Sequence, residues 1–141
     1  MTDEQSSIRA VDSLSANEFA VELEGEVVSG VFGVSGLCSL ALGADGQRTH
    51  PPLVISKMVQ RDPNLPANRW VRETLADPGG RATRTLAVVA LDEGEETRRW
   101  VYRDAWLSQI SYSDFDSASE VLIEERWTIQ YGSVEEIWAD A

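Results

Sequence analysis

The sequence predicts a mainly β fold, an antiparallel barrel or sandwich of about seven strands with one short flanking α-helix. Three observations carry this. Apolar and polar residues alternate with period two along most of the chain. One segment, near 67–76, switches to helical spacing. Clusters of Gly, Pro, Asp and Asn punctuate the strands. The 141 residues, 43% of them hydrophobic, suffice for a single packed core.

Residues 1–17 read as a flexible polar arm, and 18–141 as one β domain. "EFAVELEGE" places Phe19, Val21 and Leu23 on one face and glutamates on the other, a half-buried strand. Gly25 turns the chain into "VVSGVFGVSGL", a second strand that completes an early hairpin. Residues 43–52 are loop, and "LVISKMVQ", 53–60, is a third strand. Pro63 and Pro66 break it, and Asn64 or Asn68 caps a helix over 67–76 with Trp70, Val71, Thr74 and Leu75 on one face. Asp77-Pro78-Gly79-Gly80 ends that helix. A strand, an acidic turn at Asp92–Glu96 and another strand follow, with Trp100, Tyr102 and Trp106 on one face. "SQISYSD" extends the sheet. Residues 118–132 form the longest candidate strand, with Val121, Ile123, Trp127, Ile129 and Tyr131 on one face, interrupted by Glu125.

The net charge of −12 argues against a nucleic-acid-binding module, which needs a basic footprint. No apolar run is long enough to span a membrane. The polar N-terminus lacks the apolar core of a secretory signal, which gives an expectation of folding in the cytosol. Cys38 is the single cysteine, so neither an intrachain disulfide nor a cysteine-based zinc site is expected.

Gly30, Gly33 and Gly36 are evenly spaced, but no helix or nearby basic residue follows, so a phosphate cradle is set aside. They read as bends, bulges or places where another backbone packs closely. His50 reads as a surface histidine and Cys38 as a small buried hydrophobe. Asp114, Asp116 and Glu120 lack the glycine and spacing of a calcium loop and read as a turn. No catalytic residue, metal site or cofactor site is assigned. Val54 and Met58 lie opposite Leu53, Ile55 and Val59, and Leu122 lies on the polar face of the last strand. Such covered second faces imply oligomerisation.

Taken in order, these segments resemble the tail tube proteins of contractile phages and phage-tail-like contractile injection systems, a fold shared with type VI secretion. "FAVELEG" matches the family's opening strand, and "SGVFGVSGL" its glycine-rich segment, with Phe32, Val34, Ser35, Gly36 and Leu37 in register. "NRWVRETL" matches the Trp-containing helix, "VVALDEGEETRRWVYRDAW" the central hairpin, and "DSASEVLIEERWTIQYGSVEEI" the close. The resemblance covers about residues 18–137.

It implies a structural subunit without catalysis or cofactor. Six copies form a ring, rings stack into a tube, and a contractile sheath drives the tube through a target envelope. Implied partners are further copies, the sheath protein, baseplate or spike proteins, tube-terminating caps, and cargo or DNA in the lumen. Neither membrane insertion of the subunit alone nor sequence-specific nucleic-acid binding is implied. Assembly is expected in the bacterial cytoplasm, within a virion or a released particle. The net charge adds an expectation of an acidic lumen. Candidate subunit or ring contacts are Phe32, Val34, Gly36, Leu37, Val54, Met58 and Leu122, with the helix face Trp70, Val71 and Leu75. The loop "CSLALGADGQRTH" and strand "PPLVISKMVQRD" depart from the family pattern. That departure motivates a second reading, a ring adapting the tube to baseplate or cap. A reading of another class, a small-ligand-binding or enzymatic lipocalin-like barrel, rests on the tryptophan-rich strands.

Overall fold

The computed structural model describes residues 13–140 other than 78 and 80. The proposed arm therefore lies, over 1–12, outside the described residues, as do Pro78 and Gly80 of the helix stop. The elements are β1 (Phe19–Leu23), β2 (Glu26–Val27), β3 (Val31–Ser35), β4 (Leu53–Met58), α1 (Pro66–Ala76), β5 (Arg84–Asp92), β6 (Glu95–Tyr112), β7 (Glu124–Gln130) and β8 (Ser133–Trp138). All strand pairings are antiparallel, in the order β2-β1-β5-β6-β7-β4-β3, with β8 also on β6.

The 18-residue β6 makes this a two-sided fold. Its first half pairs with β5 and β8, forming sheet I together with β1 and β2. Its second half pairs with β7, forming sheet II with β4 and β3. The junction is a bulge. Arg84 pairs with Ala105 but Leu86 with Tyr102, and Asp104 there sits at φ 55°. The extra residue resets the alternation. Tyr102 points inward before it, and Ala105 and Leu107 point inward after it. Trp106 is thereby turned out of the face expected for it, and the Arg81 guanidinium stacks 4.1 Å from its ring centroid. Asp104→Val should cost about 1–2 kcal/mol more than Asp104→Gly, since a branched residue resists left-handed backbone. Equal urea midpoints for the two variants would contradict this account of the bulge.

The early hairpin is shorter than the sequence suggests. β2 has only two residues, and Gly30 at φ 81° then redirects the chain, so that β3 joins β4 in sheet II. The helix begins at Pro66 with Leu65 at the N-cap and no side-chain cap. Proline at the first position needs no N–H partner there. Neither expected asparagine caps it: Asn68 is inside the helix, and its amide donates back to the Gln60 and Asp62 carbonyls. The longest strand is β6, whereas β7 starts only at Glu124. Residues 113–123 form a loop begun by Asp and Ser turns, with Asp116 accepting from the Ala118 N–H. The chain adds an eighth strand, β8, after Tyr131-Gly132.

The core fills the space between the sheets and under the helix. Ala67, Trp70 and Val71 are the buried helix residues. The Trp70 and Trp127 rings meet edge to face with centroids 5.4 Å apart, and Trp70 Nε1 donates to the Ala82 carbonyl at 2.7 Å. Tyr102 and Tyr131 form a second such pair at 4.6 Å. Burial pushes the Tyr102 hydroxyl up to about 12.

One polar cluster lies in this core. Lys57 and Glu125 stand directly opposite on β4 and β7 and are buried, with Nζ 3.3 Å from Oε1. Lys57 also donates to the Met58 carbonyl at 2.9 Å, and Trp127 Nε1 donates to Glu125 Oε1 at 3.2 Å. Glu125, which breaks the apolar face of β7 in sequence, is the partner of the chain's only lysine.

Candidate assembly surface

Sheet II has two strand edges without a neighbouring strand among the described residues. Among the described residues, β3 pairs only with β4. On the opposite side, β6 pairs with β5 no further than Ala105, which leaves its 106–112 edge without a strand neighbour among the described residues. Open edges are templates for strand addition. Each is flanked by a depression. A cleft of about 420 Å³ runs between β3 and sheet I, and a groove of about 540 Å³ runs between β6 and the end of α1.

The outer face of sheet II follows from register. Ser35, Val54, Thr128 and Gln109 form one row, and Gly33, Ser56, Arg126 and Ser111 another. Met58 pairs with Glu124, and Trp106 with Gln130, on the same face. Ser108 bridges to the Thr128 carbonyl at 3.1 Å. This face is therefore hydroxyl- and amide-rich, with Arg126 and Glu124 as its strand charges.

Charge is concentrated instead on sheet I and its turns. Ala87, Val89 and Val101 are buried on its outer face among ion pairs. Arg99 reaches Glu22 at 3.1 Å and Glu96 at 2.7 Å, and Arg103 reaches Glu135 at 2.9 Å. The Arg99 hydrogen bond holds Glu96 below the ordinary carboxylate range. Glu136 is likewise lowered, chiefly by the hydrogen bond that Ser39 donates to it. Trp100 Nε1 donates to the same serine hydroxyl at 2.8 Å.

The candidate contact residues separate into groups. Phe32 is 47% exposed in a register shift of β3, and Leu37 is 39% exposed just beyond it. Val34 points inward, packed against the core. Val54 and Met58 are half-buried on the outer face of sheet II. Leu122 is 69% exposed, but on the loop and not on a strand face. Of the helix face, Trp70 and Val71 belong to the chain's own core, and Leu75 alone is open, at 65%. Gly36 has an intrachain reason for its identity: it sits at φ +75°, and a Cβ would lie 2.5 Å from the Pro52 carbonyl oxygen.

Period-two reading missed the open edge of β6, because a strand's partners are not written in its own pattern. It also missed Phe115 (85% exposed) and Val121 (79% exposed) as free apolar surface of the 113–123 loop. Cys38 is half-buried, and its N–H donates to the Tyr102 hydroxyl at 3.4 Å. His50 is exposed and packs edge-on to Tyr131. Among the described residues, no group of three or more His, Cys, Asp or Glu side chains could hold a metal ion. No described helix is long and apolar enough to cross a membrane.

No protein-family model matches the sequence, and no curated protein matches it. Solved structures do match. A chain of the extended sheath–tube complex of the extracellular contractile injection system PVC aligns with TM-score 0.74 and 16% identity, covering 95% of this chain and 97% of that one. The tube-terminating cap structure of the anti-feeding prophage aligns at 0.70 with 18% identity over 90% and 92%. Hcp1 from E. coli EAEC 042 aligns at 0.61 with 12% identity over 86% and 91%. The chain has the tail tube and Hcp fold of contractile injection and type VI secretion systems, as the sequence resemblance implied.

Proposed function

We propose that this chain is the inner-tube subunit of a contractile phage tail or phage-tail-like injection system. In this reading it assembles as stacked hexameric rings inside a contractile sheath and is driven out when the sheath contracts. The observation that carries it is sheet II, a four-stranded sheet with both edges open among the described residues, on a fold shared with tube proteins. Joining the β3 edge of each copy to the β6 edge of the next is a head-to-tail contact, and such contacts form a ring where the rotation between copies closes. Six sheets joined this way wall a conduit. The role is mechanical and needs no catalytic group.

With sheet II inward, the conduit wall is the Ser, Thr and Gln face, on which Arg126 and Glu124 offset each other. The negative charge that suggested an acidic lumen falls mostly on sheet I and the turns, directed toward the sheath. A near-neutral, hydroxyl-rich wall offers passing cargo few strong contacts.

Adaptor rings next to the cap or baseplate form a second reading, favoured by the likeness to cap and baseplate structures. The lipocalin-like alternative has less support, since Trp70, Trp127 and Tyr102 fill the interior. Negative-stain microscopy of the protein, alone and with its sheath and baseplate partners, tests the proposal. Six-fold rings or tubes are expected in at least one mixture. A monomer under every condition would refute it. Short capped rings that never elongate would select the adaptor reading.

A further inference from the structure

We infer that Leu75, at the end of α1, inserts into the apolar cleft beside β3 of the next copy in the ring. The inference rests on the ring reading above and names the contact that holds each joint. The cleft is bounded by Phe19, Phe32, Leu37, Val88, Ala90 and Trp100, and its lining is predominantly apolar. Phe32 and Leu37 stand half-open at its rim. The described residues leave this surface open to solvent.

The occupant is a second copy, by continuity with the open edges. The cleft lies along the β3 edge and the α1 groove along the β6 edge of sheet II. Bringing the β3 edge of one copy to the β6 edge of another sets these two depressions side by side. The residues of α1 that overhang the β6 edge then face the cleft. Leu75 is the exposed large hydrophobic residue of that helix and lines the groove directly.

Charge supports the same pairing. At −12 per chain, two copies repel, so any joint needs a local match. The cleft rim carries Glu18, and the groove rim carries Arg81, held above Trp106, together with Asp77. The segment 61–84 carries five arginines, Arg61, Arg69, Arg72, Arg81 and Arg84, against three acids, Asp62, Glu73 and Asp77. It borders the same groove.

Thiol crosslinking tests this on the full chain. In a Cys38→Ser background, Leu75→Cys and Phe32→Cys are combined and treated with a short bismaleimide under conditions that give rings. Both sites are exposed, and an unchanged melting temperature verifies the fold. The expected result is a ladder of covalent oligomers ending at the ring, absent from either single-cysteine variant. Leu75→Asp should reduce ring yield at least tenfold without lowering the melting temperature. Rings that form normally yet do not crosslink, or tolerate Leu75→Asp, would overturn this contact while leaving the tube reading intact. Crosslinking that stops at dimers, or no rings under any condition, would overturn both.

Discussion

Lys57→Met is expected to lower the unfolding free energy by about 3–5 kcal/mol, and so the melting temperature by about 10–15 °C. The ammonium is wholly buried and sits opposite Glu125 across the β4–β7 ladder. Removing it leaves a buried carboxylate without its counter-charge, held only by the Trp127 N–H and the Tyr112 hydroxyl across the β6–β7 ladder. A buried charge without its counter-charge is far more expensive than either charge exposed. Adding Glu125→Gln should recover more than half of the loss, because the amide oxygen still accepts from Trp127 and no net charge stays buried. Urea denaturation of the single and double variants measures both effects. A Lys57→Met protein as stable as the parent would show that the pair contributes little. The pair also has a register consequence: a one-residue slip of β7 would move Glu125 to the outer face and strand Lys57 inside.

Gly36→Val is expected to destabilise the monomer itself by about 3 kcal/mol. Two costs add: left-handed backbone, which a branched residue resists, and a Cβ driven into the Pro52 carbonyl, which is backbone and cannot swing away. Gly46→Ala is the control. It shares a positive φ, +80°, but opens onto free space, and should cost only about 1 kcal/mol. Urea midpoints of the two variants separate strain from clash. A Gly36→Val chain that melts like the parent but forms no rings would return this glycine to the subunit interface. The expectation from sequence was a close approach to a neighbouring chain, and the geometry supplies one within the same chain.

The candidate site was partly legible for comparable reasons. Phe32, Leu37 and Leu75 were singled out as apolar residues in an ordered set of family-like segments, and all three are on open surface. Trp70 and Val71 carried the same signal but serve the core, since helical spacing identifies an apolar face without saying what covers it. Leu122 was assigned a strand face because 118–132 alternates, yet the chain leaves the sheet there until Glu124. Alternation is necessary for a half-buried strand, but a partner with free hydrogen-bonding groups must also be present; among the described residues 118–122 have no strand partner, and Ile123 only accepts one bond, from the Val59 N–H.

Local pattern was sufficient for the class of fold, the helix, the β5–β6 hairpin and most inward residues. These depend on side-chain spacing and on turn residues such as Glu93-Gly94, both at positive φ. Long-range pairing settled the rest. It moved β3 from the expected hairpin with β1 to β4, divided β6 between two sheets at Asp104, and set Lys57 against Glu125. The physical reason is that a strand's two faces are encoded in its own residues, whereas its two edges are identical backbone. Which edge is filled, and which is left open for another copy, is determined by everything that folds around it.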